Sequence, residues 1–211
     1  MTIDRLRTDY QLGTLSETDV NPDPVKQFDS WLQVAIDAEL PEPHAMTLAT
    51  STVEGRPSAR IVLLRGYDER GFLFFTNYRS RKGRELLNNP HASLVLFWSP
   101  LERQVRIDGT VEKVSAAESD TYFQSRPIKS RLGAIASDQS EVIADREVLE
   151  DRLREATEKY DQDNVPRPEH WGGFRIMPTA IEFWQGRRSR LHDRLLYTKT
   201  ENDWQISRLS P

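Results

Sequence analysis

The sequence predicts an antiparallel, barrel-like α+β domain. Two observations carry that expectation. About nine short runs rich in Val, Ile, Leu and Phe occur along the chain. They lie next to one another in chain order, with only about three or four helical segments among them, which favours antiparallel neighbours over a doubly wound parallel sheet.

Residues 1–22 are polar, contain Asn21-Pro22, and read as an arm with about one helical turn. Asp23–Leu40 is the clearest early helix, with Asp23 as N-cap and Pro24 at the first helical position. Phe28, Trp31, Leu32, Ala35 and Ile36 recur at helical spacing and mark a buried face, which Pro41 and Pro43 end. Strand-like runs follow at Ala45–Thr50, Ser58–Arg65, Gly71–Thr76, Ala92–Trp98 and Arg103–Val114. Ser80–Leu87 reads as a helix set between two of them. Ser115 and Glu118 form the S-x-x-E pattern of a capping box, opening a helix that ends before Pro127. A further helix is expected over Asp145–Tyr160, with Val148, Leu149, Leu153 and Ala156 turned inward. After a polar, proline-bearing loop, strands return at Gly173–Ile176, Ala180–Gln185, Leu195–Lys199 and Trp204–Leu209. No repeat or linker divides the 211 residues, so one domain with an N-terminal arm is expected.

Composition narrows the chemistry. The chain has no cysteine, which excludes disulfides, thiolate nucleophiles and Cys-bound metals. His44, His91, His170 and His192 show no metal-ligand spacing, so no metal is expected. No run approaches the roughly 18–20 apolar residues that span a bilayer. The first residues lack the apolar stretch of a signal peptide, and a cytoplasmic protein is expected. The net charge of −4 argues against a nucleic-acid binder. Arginines nevertheless cluster at Arg79, Arg81, Arg84 and at Arg187, Arg188, Arg190, Arg194. Small anionic ligands or simply solvated charged faces would both account for this.

Three segments look more specific. In Arg60-Ile-Val-Leu-Leu-Arg65, strand alternation puts the two arginines on opposite faces. Thr76-Asn-Tyr-Arg-Ser-Arg-Lys-Gly-Arg84 combines hydroxyls, cations and a helix N-terminus, a combination that suits a phosphate. A charged helix start with no ligand is the bland alternative. In Arg190-Leu-His-Asp-Arg194, a strand would present Arg190, His192 and Arg194 on one face, with Trp184 nearby to lie against a planar ring. That points to an anionic planar ligand without naming it. Trp171 and Trp204 read as packing residues.

Together these segments resemble the pyridoxamine 5′-phosphate oxidase family. The resemblance runs from about Leu6 to Pro211 and is carried by Leu6-Arg-Thr-Asp-Tyr10, Arg60-Ile-Val-Leu-Leu, Phe74-Phe-Thr-Asn77 with Ser80-Arg-Lys82, and Leu101-Glu-Arg-Gln-Val105. Tyr122-Phe-Gln-Ser-Arg-Pro127, Trp171-Gly-Gly-Phe-Arg175, Ile181-Glu-Phe-Trp-Gln-Gly186, Arg190-Leu-His-Asp-Arg194 and Arg208-Leu-Ser-Pro211 complete it.

The resemblance implies an FMN-binding split β-barrel, mostly antiparallel, with peripheral helices. It also implies a homodimer with FMN at the subunit interface. Residues 1–22 would be the arm or lid and 23–211 the barrel domain. Arg60, Arg81 and Lys82 match residues holding the FMN phosphate region; Ile61, Val62, Leu63, Leu64, Phe75 and Thr76 match the flavin lining. Gln104, Gln139, Ser140, Trp184 and Arg194 match further FMN contacts. Arg65, which borders the flavin set, matches with Tyr122, Arg126 and Ser130 the cradle of the substrate phosphate. Arg190 and His192 match the catalytic pair over the substrate pyridine ring, and Arg7 and Tyr10 a lid over the substrate. The implied reaction takes pyridoxamine or pyridoxine 5′-phosphate to pyridoxal 5′-phosphate. Hydride passes from substrate C4′ to flavin N5, O2 reoxidises the flavin to give H2O2, and the amine substrate releases ammonia. Two departures stand out: Arg65 replaces the family's usual Lys, and Glu42 an Asp often found near the substrate entrance. A split-barrel flavin reductase and a non-catalytic binder of FMN or pyridoxal phosphate are the other readings.

Overall fold

The computed structural model describes residues 9–160 and 164–211. Arg7, half of the expected lid pair, lies outside them. Within them, nine strands form one antiparallel sheet: β1 (Ala45–Ser51), β2 (Pro57–Leu63), β3 (Gly66–Asp68), β4 (Gly71–Asn77), β5 (His91–Trp98), β6 (Arg103–Lys113), β7 (Trp171–Gln185), β8 (Asp193–Lys199) and β9 (Trp204–Arg208). The order is β2-β1-β5-β6-β7-β4-β3. The two ends of that order are consecutive in the chain, joined only by Leu64 and Arg65. The Leu64 N–H donates to the His44 carbonyl at 2.9 Å and the Arg65 N–H to that of Leu73 at 2.8 Å, which curls the sheet on itself.

The barrel is split by its longest strand. β6 runs along one edge of β7, while the other edge is shared: Trp171–Ile176 pairs with β4 and Ala180–Gln185 with β8. The sequence reading places two strands here, at Gly173–Ile176 and Ala180–Gln185. The structure has one, because Pro178 falls opposite Gly109 where the β6–β7 register shifts and no ladder donor is required of it. β3 was not expected.

Among the described residues five α-helices flank the sheet: α1 (Pro24–Asp37), α2 (Arg81–Asn88), α3 (Ala116–Ser125), α4 (Ile128–Ala136) and α5 (Arg146–Lys159). Asp23 caps α1 by accepting from Val25 and Lys26, Ser80 caps α2, and Ser115 with Glu118 closes a full capping box on α3. α4 was not expected; Pro127, read as a stop, is the N-cap of a second helix.

α1 covers the core with Phe28, Trp31, Leu32 and Ala35. Phe28 meets Phe72 edge-on at 5.0 Å and Trp31 meets Phe183 at 5.2 Å. Phe28 is fully buried, so truncating it to Ala costs about 3–5 kcal/mol. Ile36, expected on this face, is instead half exposed, and Leu153 of α5 likewise faces outward. α3, α4 and α5 build a second small core around Phe123, Leu132, Ala156 and Trp171. That core forms one wall of the site.

Candidate active site

A cavity of about 520 Å³ opens between β2, β4, α3 and α4. β2 contributes Ile61, Val62 and Leu63, the β2–β3 corner Arg65, and β4 Phe75 and Thr76. Lys82, Tyr122, Arg126, Ser130 and Gln139 complete the expected residues that line it. Leu64 does not: its side chain is buried in the core. Trp171 is more than a packing residue, since it lines this cavity. Its indole lies parallel to Phe75 at 5.5 Å, and Phe75 stacks on Tyr122 at 3.9 Å.

A first group of cations is organised by Glu85, which sequence reading missed. Glu85 of α2 is buried and accepts from Thr50, Ser58 and, at 2.9 Å, Arg81 Nε. Arg60 lies 3.4 Å from the same carboxylate and also donates to Ser58 and Thr50. Burial works against the charged form of Glu85, yet the hydrogen bonds from Ser58, Thr50 and Arg81 and the charge of Arg60 outweigh it and hold its pKa at about 2. Among the described residues Lys82 has only neutral partners: Nζ donates to Gln139 Oε1 at 2.8 Å, Thr76 Oγ1 at 3.2 Å and Ser80 Oγ at 3.4 Å. Burial, with the nearby Arg60 charge, pushes its pKa down to about 8. The i,i+4 spacing of Arg81 and Glu85 was a signal for this network; the reach to Arg60 was not local.

The second group is Arg126 and Arg65. The Arg126 guanidinium lies 4.7 Å over the Trp171 ring. Its Nη1 is buried with no hydrogen-bond partner among the described residues. Burial and the neighbouring Arg65 charge both push the Arg126 pKa down. A buried donor beside a like charge is an arrangement that an anion stabilises.

The remaining expected residues gather elsewhere, at the far end of β6, β7 and β8. Gln104, Trp184 and Arg194 are successive cross-strand partners. Arg194 Nε donates to Glu182 Oε1 at 2.7 Å, and Arg106 holds the other oxygen at 2.9 Å. Arg190 and His192 do not belong to a strand, as the alternation suggested. β8 begins only at Asp193, and Ser189 and Arg190 both adopt left-handed backbone, at φ +58° and +62°. Two adjacent non-glycine residues in that region store strain at this loop. His192 stays against Trp184, ring centres 4.7 Å apart, and Tyr10 packs edge-on to Trp184 at 5.6 Å and near His192 at 5.8 Å. Ser140, also left-handed at φ +75°, follows Gln139 in the α4–α5 connection. None of Gln104, Trp184, Arg190, His192, Arg194 or Tyr10 lines the 520 Å³ cavity.

The model of the family described as pyridoxamine 5′-phosphate oxidase matches residues 32–160, and that of the pyridoxine 5′-phosphate oxidase C-terminal dimerisation region matches 171–211. The chain belongs to the pyridoxamine 5′-phosphate oxidase family. A pyridoxine/pyridoxamine 5′-phosphate oxidase of Trichormus variabilis is 63% identical over 211 residues, covering 100% of this chain and 99% of the relative. That of Paraburkholderia phytofirmans is 62% identical, over 98% and 97%. The crystal structure of PhzG from Burkholderia lata, in complex with tetrahydrophenazine-1-carboxylic acid, superposes with TM-score 0.89 at 34% identity, over 95% of this chain and 99% of that one. A pyridoxamine 5′-phosphate oxidase-related, FMN-binding protein of Nostoc punctiforme has TM-score 0.72 at 18% identity, which supports the split-barrel fold alone. In this oxidase-family chain the two groups of site residues divide between the matched regions. The cavity belongs mainly to the first; Trp184, Arg190, His192 and Arg194 lie in the dimerisation region.

Proposed function

We propose that this chain is an FMN-dependent oxidase of pyridoxine and pyridoxamine 5′-phosphates. The observation that carries the reading is the buried Arg126 Nη1, unpartnered among the described residues and facing Arg65, Tyr122 and Ser130 in a cavity whose third cation, Lys82, has only neutral partners there. One cavity thus offers two cationic groups, which suits two phosphorylated ligands side by side. Lys82, Arg60 and Arg81 would hold the FMN phosphate, and Ile61, Val62, Leu63, Phe75, Thr76, Gln139 and Ser140 its ring and chain. Bound FMN supplies a two-electron acceptor for the substrate C4′ hydride, returned to O2 as H2O2.

The chain's own residues do the rest. Arg65, Tyr122, Arg126 and Ser130 anchor the substrate phosphate and fix the pyridine ring's position. Glu85 keeps Arg60 and Arg81 aimed, and Trp171 with Phe75 gives the cavity a flat aromatic wall. His192 is presented as a hydrogen-bond donor, because the Arg187 N–H donates to its Nδ1 at 3.1 Å, leaving the proton of the neutral ring on Nε2. Arg190 would stabilise negative charge on the substrate ring.

Gln104, Trp184, Arg190, His192, Arg194 and Tyr10 would reach the cavity from a second subunit. A homodimer with FMN at the interface reconciles their distance from it with their expected roles, and the matched dimerisation region supports it. Residues 1–22 would act as the lid on domain 23–211, in a cytoplasmic enzyme of vitamin B6 synthesis and salvage. Among the described residues no helix is long and apolar enough to cross a membrane. Aerobic turnover of pyridoxine 5′-phosphate by the FMN-loaded protein tests the proposal; ligand binding without turnover would leave only the carrier reading.

A further inference from the structure

We infer that Glu102 is a positioning residue that latches the N-terminal arm and so holds Tyr10 over the His192 and Trp184 rings. The inference rests on the lid reading of Tyr10 given above. Glu102 lies in the sharp turn between β5 and β6, buried, with left-handed backbone at φ +53°. Its Oε2 accepts two consecutive backbone N–H groups of the arm, Gln11 at 2.8 Å and Leu12 at 2.9 Å. A carboxylate oxygen shared by adjacent amides is a charge-assisted clamp on backbone, independent of the arm's side chains. The same residue grips the end of β7: its carbonyl accepts from the Gly186 N–H at 2.7 Å and from Gln185 Nε2 at 3.1 Å. Glu102 therefore ties the arm to the strand end that leads into the Arg190–His192 loop.

The seat for Tyr10 is cut to match. A Cβ at Gly186 would stand 2.7 Å from Tyr10 Cγ and 3.0 Å from Glu102 Cβ, so no other residue fits there with Tyr10 in place. Further along the arm the anchors are different. Asp193 accepts the Leu15 N–H at 3.1 Å, and Arg208 bonds the Leu15 carbonyl at 3.0 Å and the Glu17 carboxylate at 2.7 Å. Loss of the Glu102 carboxylate should free the residues around Tyr10 while the chain from Leu15 onward stays docked.

The test uses the full chain loaded with FMN. In Glu102→Ala, amide hydrogen exchange at Gln11 and Leu12 should speed up by about tenfold or more, with Leu15 unchanged. If the docked arm is then present about a tenth of the time, KM for pyridoxine 5′-phosphate rises about tenfold, with FMN affinity and kcat nearly constant. Glu102→Gln, which keeps an acceptor oxygen, should recover most of both effects. In a Tyr10→Ala background Glu102→Ala should add nothing to KM. Glu102→Met preserves length without an acceptor and takes the place of the alanine variant should that not fold. Unchanged exchange at Gln11 and Leu12, or KM penalties of Tyr10→Ala and Glu102→Ala that multiply, would overturn the latch. Absence of turnover in the unmutated protein would instead overturn the oxidase reading, and the exchange rates would still decide whether the latch exists.

Discussion

Nδ1 of His192 accepts a hydrogen bond from the backbone N–H of Arg187, 3.1 Å away. A ring nitrogen that accepts carries no proton, so the neutral imidazole bears it on Nε2. The bond lies within a loop strained at Ser189 and Arg190, so the tautomer is set by local backbone geometry. Nitrogen-15 NMR of the protein at a pH where His192 is neutral should give a pyridine-type Nδ1 and a pyrrole-type Nε2. The opposite assignment would contradict the donor role. His192→Gln, which keeps an N–H near the Nε2 position, should retain more turnover than His192→Ala.

Glu85 should be the most costly acidic residue of the site to remove. It leaves Arg60 half-buried without its carboxylate, so Glu85→Ala destabilises by about 3 kcal/mol, measured by urea unfolding. Its folded pKa, about 2, lies below the ordinary carboxylate value. The stabilisation is thus fully present above about pH 4.5 and is lost as pH falls toward 2. Stability of Glu85→Gln should show a weaker acid dependence across that window; an identical dependence would remove Glu85 from the network.

Lys82 gives a prediction of opposite character. Its folded pKa, about 8, lies below the unfolded value near 10.5. The unfolded chain therefore holds more protons between these values, and this group makes stability rise with pH from about 8 to 10.5. A phosphate arriving at Nζ favours the protonated form. FMN binding at about pH 9 should take up a proton, seen by calorimetry in buffers of different ionisation enthalpy, and Lys82→Met should abolish that uptake.

Removing the unpartnered guanidinium should separate substrate phosphate from substrate ring. Arg126→Ala is expected to raise KM for pyridoxine 5′-phosphate by roughly thirtyfold, equivalent to about 2 kcal/mol, with kcat less affected. FMN affinity should hardly change, because the first cation group lies on α2 and β2. Equal losses for FMN and substrate would merge the two groups into one.

The sequence made the local features of this fold readable. Asp23, Ser80 and the Ser115–Glu118 pair announce their helices because a cap is satisfied within about four residues. The apolar-rich runs of β1, β5 and β6 were equally plain. What escaped depends on distant partners. β7 runs unbroken through Pro178 only because Gly109 of β6 meets it at a register shift. The alternation of Arg190, His192 and Arg194 imitates a strand, whereas the loop takes its shape from Asp193 pairing with Arg187 and Arg208. Many of the motif residues come together at the cavity, yet the links from Glu85 to Arg60 and from Glu102 to the arm run across 25 and about 90 residues, and no local pattern announces them.

The most direct measurement is aerobic incubation of the purified, FMN-treated protein with pyridoxine 5′-phosphate, following flavin absorbance, aldehyde and peroxide together. The account predicts a yellow protein binding about one FMN per chain, with aldehyde and peroxide formed in equal amounts. A protein that stays colourless after FMN addition, or that holds FMN and yields neither product, would contradict it.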